Sequence, residues 1–419
     1  MSGHGVGTPN RRARGCRSRV EPRRPSCASG RLGHVHVLIA PHSFGPLLPS
    51  TVATEHLEAG WLEARPDDRV EGLPMSDGSA GFLEALAPLG ELDVLTVPAA
   101  SGELGPIGVV RTAAGAVYLT TESWNAPAAR PDPTRGNSRG LGEAIGRAIT
   151  AGTRRIVLAA GDVPWHDAGT GLVEGLAATL GLERSGDPAA SLPAGTAGAD
   201  ALAHLEAAAR ALAGVELVVA AQTDAPLLGL HGAGAGLAAR GIDPARAQAI
   251  EARTTRFIAA AEALAARWAP RNLLATGGET NERRPSRRPS SGAGGGAAFV
   301  LGLLGARTLP GAWVVAEELR LSGAIARVDL VVTGARVLAD RELSHGVVAE
   351  VGSRAEPHAL PVVAIGGRID ATFRQLATVG VHGSYPVIDT GPGEVPDLEA
   401  ITPQALRARA ARVARSWSR

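Results

Sequence analysis

The sequence predicts an α/β fold built on a largely parallel sheet. Short β-rich apolar runs recur along the chain, and Ala- and Leu-rich helical stretches separate many of them. With 419 residues and 45% apolar content, there is material for a large core and for two domains.

Residues 1–33 carry eight Arg, one acidic residue and no apolar run, which predicts a disordered head and no secretory signal. His34-Val-His-Val-Leu-Ile-Ala40 reads as a buried strand, with an amphipathic helix over 50–65 behind it. Further strand-like runs occupy 92–98, 107–111, 116–121, 154–160, 215–221, 328–333 and 360–366. Helical stretches fill 138–151, 168–181, 198–213, 243–268, 297–306 and 311–321. The segment 277–294, with two Arg pairs, two Pro and several Ser before its glycines, reads as a flexible, solvated loop. A helix over 402–416 closes the chain. Thr402 can cap it, Pro403 suits its first turn, and Arg407, Arg409, Arg412 and Arg415 complement its dipole.

Composition excludes several functions. Basic and acidic residues balance at 42 to 41, so no global field draws nucleic acid or an acidic membrane. No run of about eighteen apolar residues exists to span a bilayer. The two cysteines, Cys16 and Cys27, lie in the Arg-rich head and can build neither a disulfide scaffold nor a four-ligand zinc site. Lysine is absent, so all 42 basic residues are Arg. That rules out a Walker P-loop with its lysine, a kinase strand lysine and Schiff-base chemistry. With no targeting signal visible, the cytoplasm is the expected location.

In an open α/β sheet, ligands bind beyond the carboxyl ends of strands, so polar residues there are the candidates for chemistry. After the first strand comes Ala40-Pro41-His42-Ser43-Phe44-Gly45-Pro46-Leu47, where His42 and Ser43 serve either a site or a turn. In Pro74-Met-Ser-Asp77-Gly78-Ser-Ala-Gly81, Asp77 could position a metal or a hydroxyl, although Asp-Gly is also an ordinary turn dipeptide. Between Gly161 and Gly171 lie Asp162, His166 and Asp167 at the opening of a helix; Asp167 could take a proton from a substrate hydroxyl or cap the helix. Asp224 sits in a fourth strand-end segment, 220–229. A fifth, 291–298, carries Gly292, Gly294 and Gly296, which would let a phosphate approach bare amides.

In this order, these segments resemble the bacterial glycerate kinase family of the two-domain type, from about His34 to about Asp389. Ala40–Gly45 resembles the family's A-P-D-S-F-K-G, Pro74–Gly81 its P-M-A-D-G-G-E-G, and Gly161–Gly171 its G-G-S-A-T-N-D-G-G-A-G. Ala221–Gly229 resembles C-D-V-D-N-P-L-L-G, Gly292–Ala298 resembles G-A-G-A-A-G-G, and Thr333–Ala339 resembles T-G-E-G-R-L-D. The resemblance implies two lobes with an active-site cleft between them, one formed by 34–75 with 290–390 and the other by 76–276. It implies a kinase of glycerate or a related small hydroxy acid, using ATP and Mg2+. Asp77, Asp167 and Asp224 would be the catalytic carboxylates, with Asp77 and Asp224 the candidate metal ligands. Ser43, Gly78, Gly161, Gly292, Gly294 and Gly296 would hold substrate or nucleotide.

The chain departs from the family inside those motifs. The first Asp is His42, the Lys is Gly45, a Glu is Ala80 and a carboxylate is Gln222. In the last motif Glu, Arg and Asp become Ala335, Val337 and Ala339, although a one-residue slip would recover Asp340. Trp165 and Pro164 stand among positions that are small and polar in the family. No Arg occupies a vacated position along the chain. These departures set a kinase with an altered site against a non-catalytic relative that binds a ligand or a partner.

Overall fold

A computed structural model describes residues 34–125, 135–161, 163, 165–193, 195–239, 241–268, 284–391 and 394–418. The Arg-rich head with Cys16 and Cys27, residues 277–283 of the predicted loop, Asp162 and Pro164 lie outside these.

Among the described residues the strands are β1 (His36–Pro41), β2 (Arg69–Gly72), β3 (Glu91–Pro98), β4 (Leu104–Arg111), β5 (Ala116–Thr120), β6 (Arg155–Ala160), β7 (Glu216–Ala221), β8 (Arg307–Pro310), β9 (Leu330–Leu338), β10 (Val362–Ile369) and β11 (Gly383–Pro386). They form two sheets. The first runs β11-β10-β9-β1-β2 and is parallel throughout. The second runs β3-β4-β5-β6-β7-β8; it is parallel from β5 to β8, and β3 and β4 join antiparallel at its edge. The central strands β1, β6, β7 and β10 read as nearly unbroken apolar runs because both of their faces are covered. The helices Ser50–Ala64 and Pro403–Trp417 close the outer face of the first sheet. Val109, Leu119, Ile156, Leu158 and Val219 pack the outer face of the second sheet against the helices Arg139–Thr150, Thr170–Leu180 and Ala199–Ala211. A third cluster is shared by the two sheets: Leu38, Ala40, Val331 and Ala364 join Tyr118, Val157, Val218 and Ala220.

The α/β fold and its mainly parallel sheets are as predicted. The four-residue strands β2, β8 and β11 are too short to stand out as apolar runs. The helix expected over 311–321 breaks at Arg320, whose φ of 54° no helix interior accepts. The helix Ala297–Leu303 and β8 belong to the second sheet's assembly, whereas the resemblance put 290–390 with the first. The described part of 277–294 is solvated in its first half and packed in its second: Arg284, Arg287, Arg288 and Pro289 are exposed as expected, whereas Ser286, Ser291 and Gly292 are buried, and Ser291 Oγ accepts from Leu227 N at 2.8 Å. Thr402 caps the last helix through Ala405 N. Arg409, one of the arginines expected to complement the dipole of this helix, is buried and pairs with Asp389 at 2.5 Å.

The helices Arg139–Thr150 and Thr170–Leu180 cross backbone to backbone. A Cβ on Gly142 would lie 1.9 Å from Leu172 O, and one on Gly175 would lie 2.1 Å from Arg139 O. Gly142→Ala must push the pair apart and should cost at least about 1–3 kcal/mol in urea unfolding. Gly302→Ala, in a helix with nothing within 4 Å of the new methyl, should be neutral or slightly stabilising.

Candidate active site at the meeting of the two sheets

The carboxyl ends of β1 and β9 in the first sheet come up against the carboxyl end of β7 in the second. A Cβ on Gly311 would lie 1.9 Å from Asp77 O, and one on Gly78 would lie 2.8 Å from Ala220 O, so the 76–79 turn is wedged between backbones. Gly78 has φ of 89°, which the same turn requires. From the helix that follows β9, Arg341 Nη2 donates to Gln222 O at 3.2 Å, and His345 Nε2 lies 4.0 Å from Asp224.

His42 is the centre of this junction. Its ring is mostly buried, with Nε2 3.4 Å from Asp77 Oδ1 and Nδ1 3.6 Å from Glu342 Oε2. Ser79 donates to the same Asp77 oxygen from its amide at 3.0 Å and its hydroxyl at 2.5 Å. Burial alone would lower the His42 pKa, but the Asp77 and Glu342 carboxylates outweigh it and push it up to about 10. Burial alone would raise Asp77, yet the His42 cation, Ser79 and the charge of Arg341 hold it well below the usual carboxylate range. Glu342, which sequence reasoning missed, also accepts from Val348 N at 2.9 Å and is buried. Its only signal in the sequence is an acidic residue soon after the last motif.

The other expected residues are placed differently. Asp167 is buried, and its Oδ2 accepts from Ser138 N (2.7 Å), Ser138 Oγ (2.8 Å) and Gly171 N (3.1 Å), while Oδ1 accepts from Gly169 N (2.9 Å). Four donors use a carboxylate's ordinary acceptor capacity. Asp167 thereby ties the start of one helix to the start of the next. It also lines a cavity of about 330 Å³ with Arg135, Asn137, Thr170, Arg253 and Thr254. Ser43 closes its own turn, its hydroxyl accepting from Gly45 N at 3.1 Å. Asp224 is well exposed. Gly161 lies under Gln222, whose Oε1 would be 2.5 Å from a Cβ there.

Gly292, Gly294 and Gly296 are closely packed. Gly292 N and Gly294 N donate to Ala225 O and Gly161 O, and a Cβ on Gly296 would meet the Ala168 backbone at 2.4 Å. Trp165 lies over Gly295, and the space left between them and Gly292 is about 20 Å³, enough for one water and too little for a phosphate. Beside it His166 Nδ1 donates to Gly295 O at 3.0 Å, and burial, the main cause, pushes the His166 pKa down.

Asp167→Ala strands several buried donors and should destabilise the fold by about 3 kcal/mol or more in denaturant titration. For His42, a folded pKa above the unfolded value adds stability that is complete below about pH 6.5 and is lost as pH rises toward about 10. Asp77 acts at the other end, contributing above its ordinary pKa and losing that as pH falls. The stability gap between wild type and His42→Gln should therefore narrow from about pH 6.5 to about pH 10; an unchanged gap would remove the charge-pair account.

Known proteins resemble this arrangement over nearly all of its length. The family model described as the glycerate kinase family matches residues 37–418. An uncharacterized protein of Mycobacterium tuberculosis is 29% identical over 370 residues, covering 85% of this chain and 84% of the relative. A glycerate kinase of Bacillus subtilis is 28% identical over 372 residues, covering 86% and 91%. The fold is that of a crystal structure named for a glycerate kinase 2 of Salmonella typhimurium, with TM-score 0.65 and 23% identity over 92% of this chain and 97% of that one. Sequence match and shared architecture together make this chain a member of the glycerate kinase family.

Proposed function

We propose that the chain is an ATP-dependent kinase of glycerate or a related small hydroxy acid, acting in the cleft where β1, β7 and β9 end. The observation that carries the reading is the charged cluster of His42, Asp77 and Glu342 at those strand ends, in a chain of the glycerate kinase family. Phosphoryl transfer asks mainly for position and charge. The substrate hydroxyl oxygen bonds to the γ-phosphorus as the bond to ADP breaks, and the hydroxyl proton departs late, to the phosphate product or solvent.

His42 stays protonated at neutral pH, so it acts as a fixed cation and not as a base. Asp77 is ionised. Its Oδ1 takes the Ser79 and His42 contacts, and among the described residues no donor reaches Oδ2, which is placed to orient the attacking hydroxyl. Asp224 is the exposed carboxylate and the protein ligand open to magnesium, whose charge would offset that of the phosphates. The cavity beside Asp167 adds room for an anionic ligand, with Arg135 and Arg253 in its wall.

A second reading, a relative that binds a ligand without turnover, is favoured by the glycine loop that Trp165 seals. ADP release from ATP, magnesium and glycerate separates the two. The kinase reading expects turnover that falls at least about a hundredfold in Asp77→Asn. No turnover from folded wild-type protein would select the second reading.

A further inference from the structure

We infer that Arg336 is an oxyanion-binding residue of this cleft, taking a carboxylate or phosphate group of the reactants over the bare backbone of Gly45; the inference rests on the kinase reading. Gly45 lies in the tight turn after β1, where Phe44 N donates to Leu48 O at 2.9 Å and Leu48 N to Gly45 O at 3.0 Å. Its φ is 138°, and a Cβ on it would fall 2.3 Å from Arg336 Nη1 and 3.4 Å from Cζ. The guanidinium thus occupies the space that a side chain at position 45 would fill. Read along the chain, this turn has no cation of its own. In space, β9 supplies one.

The backbone holds Arg336 there. Pairing of β1 with β9 continues past Pro41 and Gly334: His42 N donates to Gly334 O at 2.7 Å, and Arg336 N to Ser43 O at 3.2 Å. The same stretch carries His42, so the guanidinium and the imidazolium flank one strand end. They differ in availability. His42 is enclosed by two carboxylates. Arg336 pairs at 2.5 Å with Glu399, a carboxylate 80% exposed on a three-residue turn, while its own side chain is 30% exposed. An ion pair with so exposed a partner adds little to stability and yields readily to a competing anion. A planar guanidinium suits bidentate capture of a carboxylate or phosphate edge. Glu399 is then the resting occupant that the ligand displaces.

The test is calorimetric binding of glycerate, ADP and inorganic phosphate, each alone, to the full-length protein and to Arg336→Gln, Arg336→Lys and Glu399→Gln. Unfolding curves are recorded for every variant. Arg336→Gln should weaken at least one ligand about tenfold or more, Arg336→Lys should regain part of that, and Glu399→Gln should tighten the same ligand about twofold or more. Loss confined to glycerate identifies a carboxylate site; loss of ADP and phosphate identifies a phosphate site. Unchanged affinities in Arg336→Gln overturn the inference, as does a matched loss of stability in Arg336→Gln and Glu399→Gln with binding intact, which marks a structural ion pair. Binding of none of the three by wild type overturns it together with the kinase reading. Wild-type binding without turnover, with the variant effects as stated, removes the kinase reading and leaves the assignment of Arg336 standing.

Discussion

The Asp77–Gly78 turn is pressed between two pieces of backbone that leave no room for a methyl group. Gly78 abuts Ala220 O, and Gly311 abuts Asp77 O. The Asp77 carboxylate takes its position from that contact. It is fixed against β1, which brings His42 within ion-pair distance of Asp77 on one side and of Glu342 on the other. Interiors packed this closely do not deform continuously, so the cluster is preorganised by steric contact before any ligand arrives.

Within that frame the charge pattern is altered from the one its family motif implies. An imidazolium stands at position 42 where the family has a carboxylate, and burial keeps the interaction strong because little water screens it. One positive and two negative charges in a half-enclosed space leave a net negative centre, which the charge of Arg341 partly offsets at Asp77. Such a centre tolerates anionic reactants only where cations stand between like charges.

Much of the architecture was legible from the chain alone. Buried parallel strands announce themselves as apolar runs, and β1, β6, β7, β9 and β10 were visible for that reason. The cap at Thr402 followed from residue type and the proline after it. Short edge strands such as β11 lacked the length to be seen. The site was only half legible. Asp77 and its neighbours stood out as a motif, but nothing in the local sequence says that Ser138 would saturate Asp167 from another helix. Nor could Gly292–Gly296 be told from a phosphate loop, because close backbone packing and anion binding both call for bare α-carbons. Arg336 was hidden for a related reason: a lost charge was sought at its own position, and its replacement comes from a strand far along the chain.

The contact between Gly45 and Arg336 ties two positions far apart in the chain into one steric unit. The guanidinium fills the space above position 45, so a side chain placed there must displace the arginine's flexible end and also bear the strain of a φ of 138°. The two positions are therefore coupled: what one tolerates is set by what stands at the other.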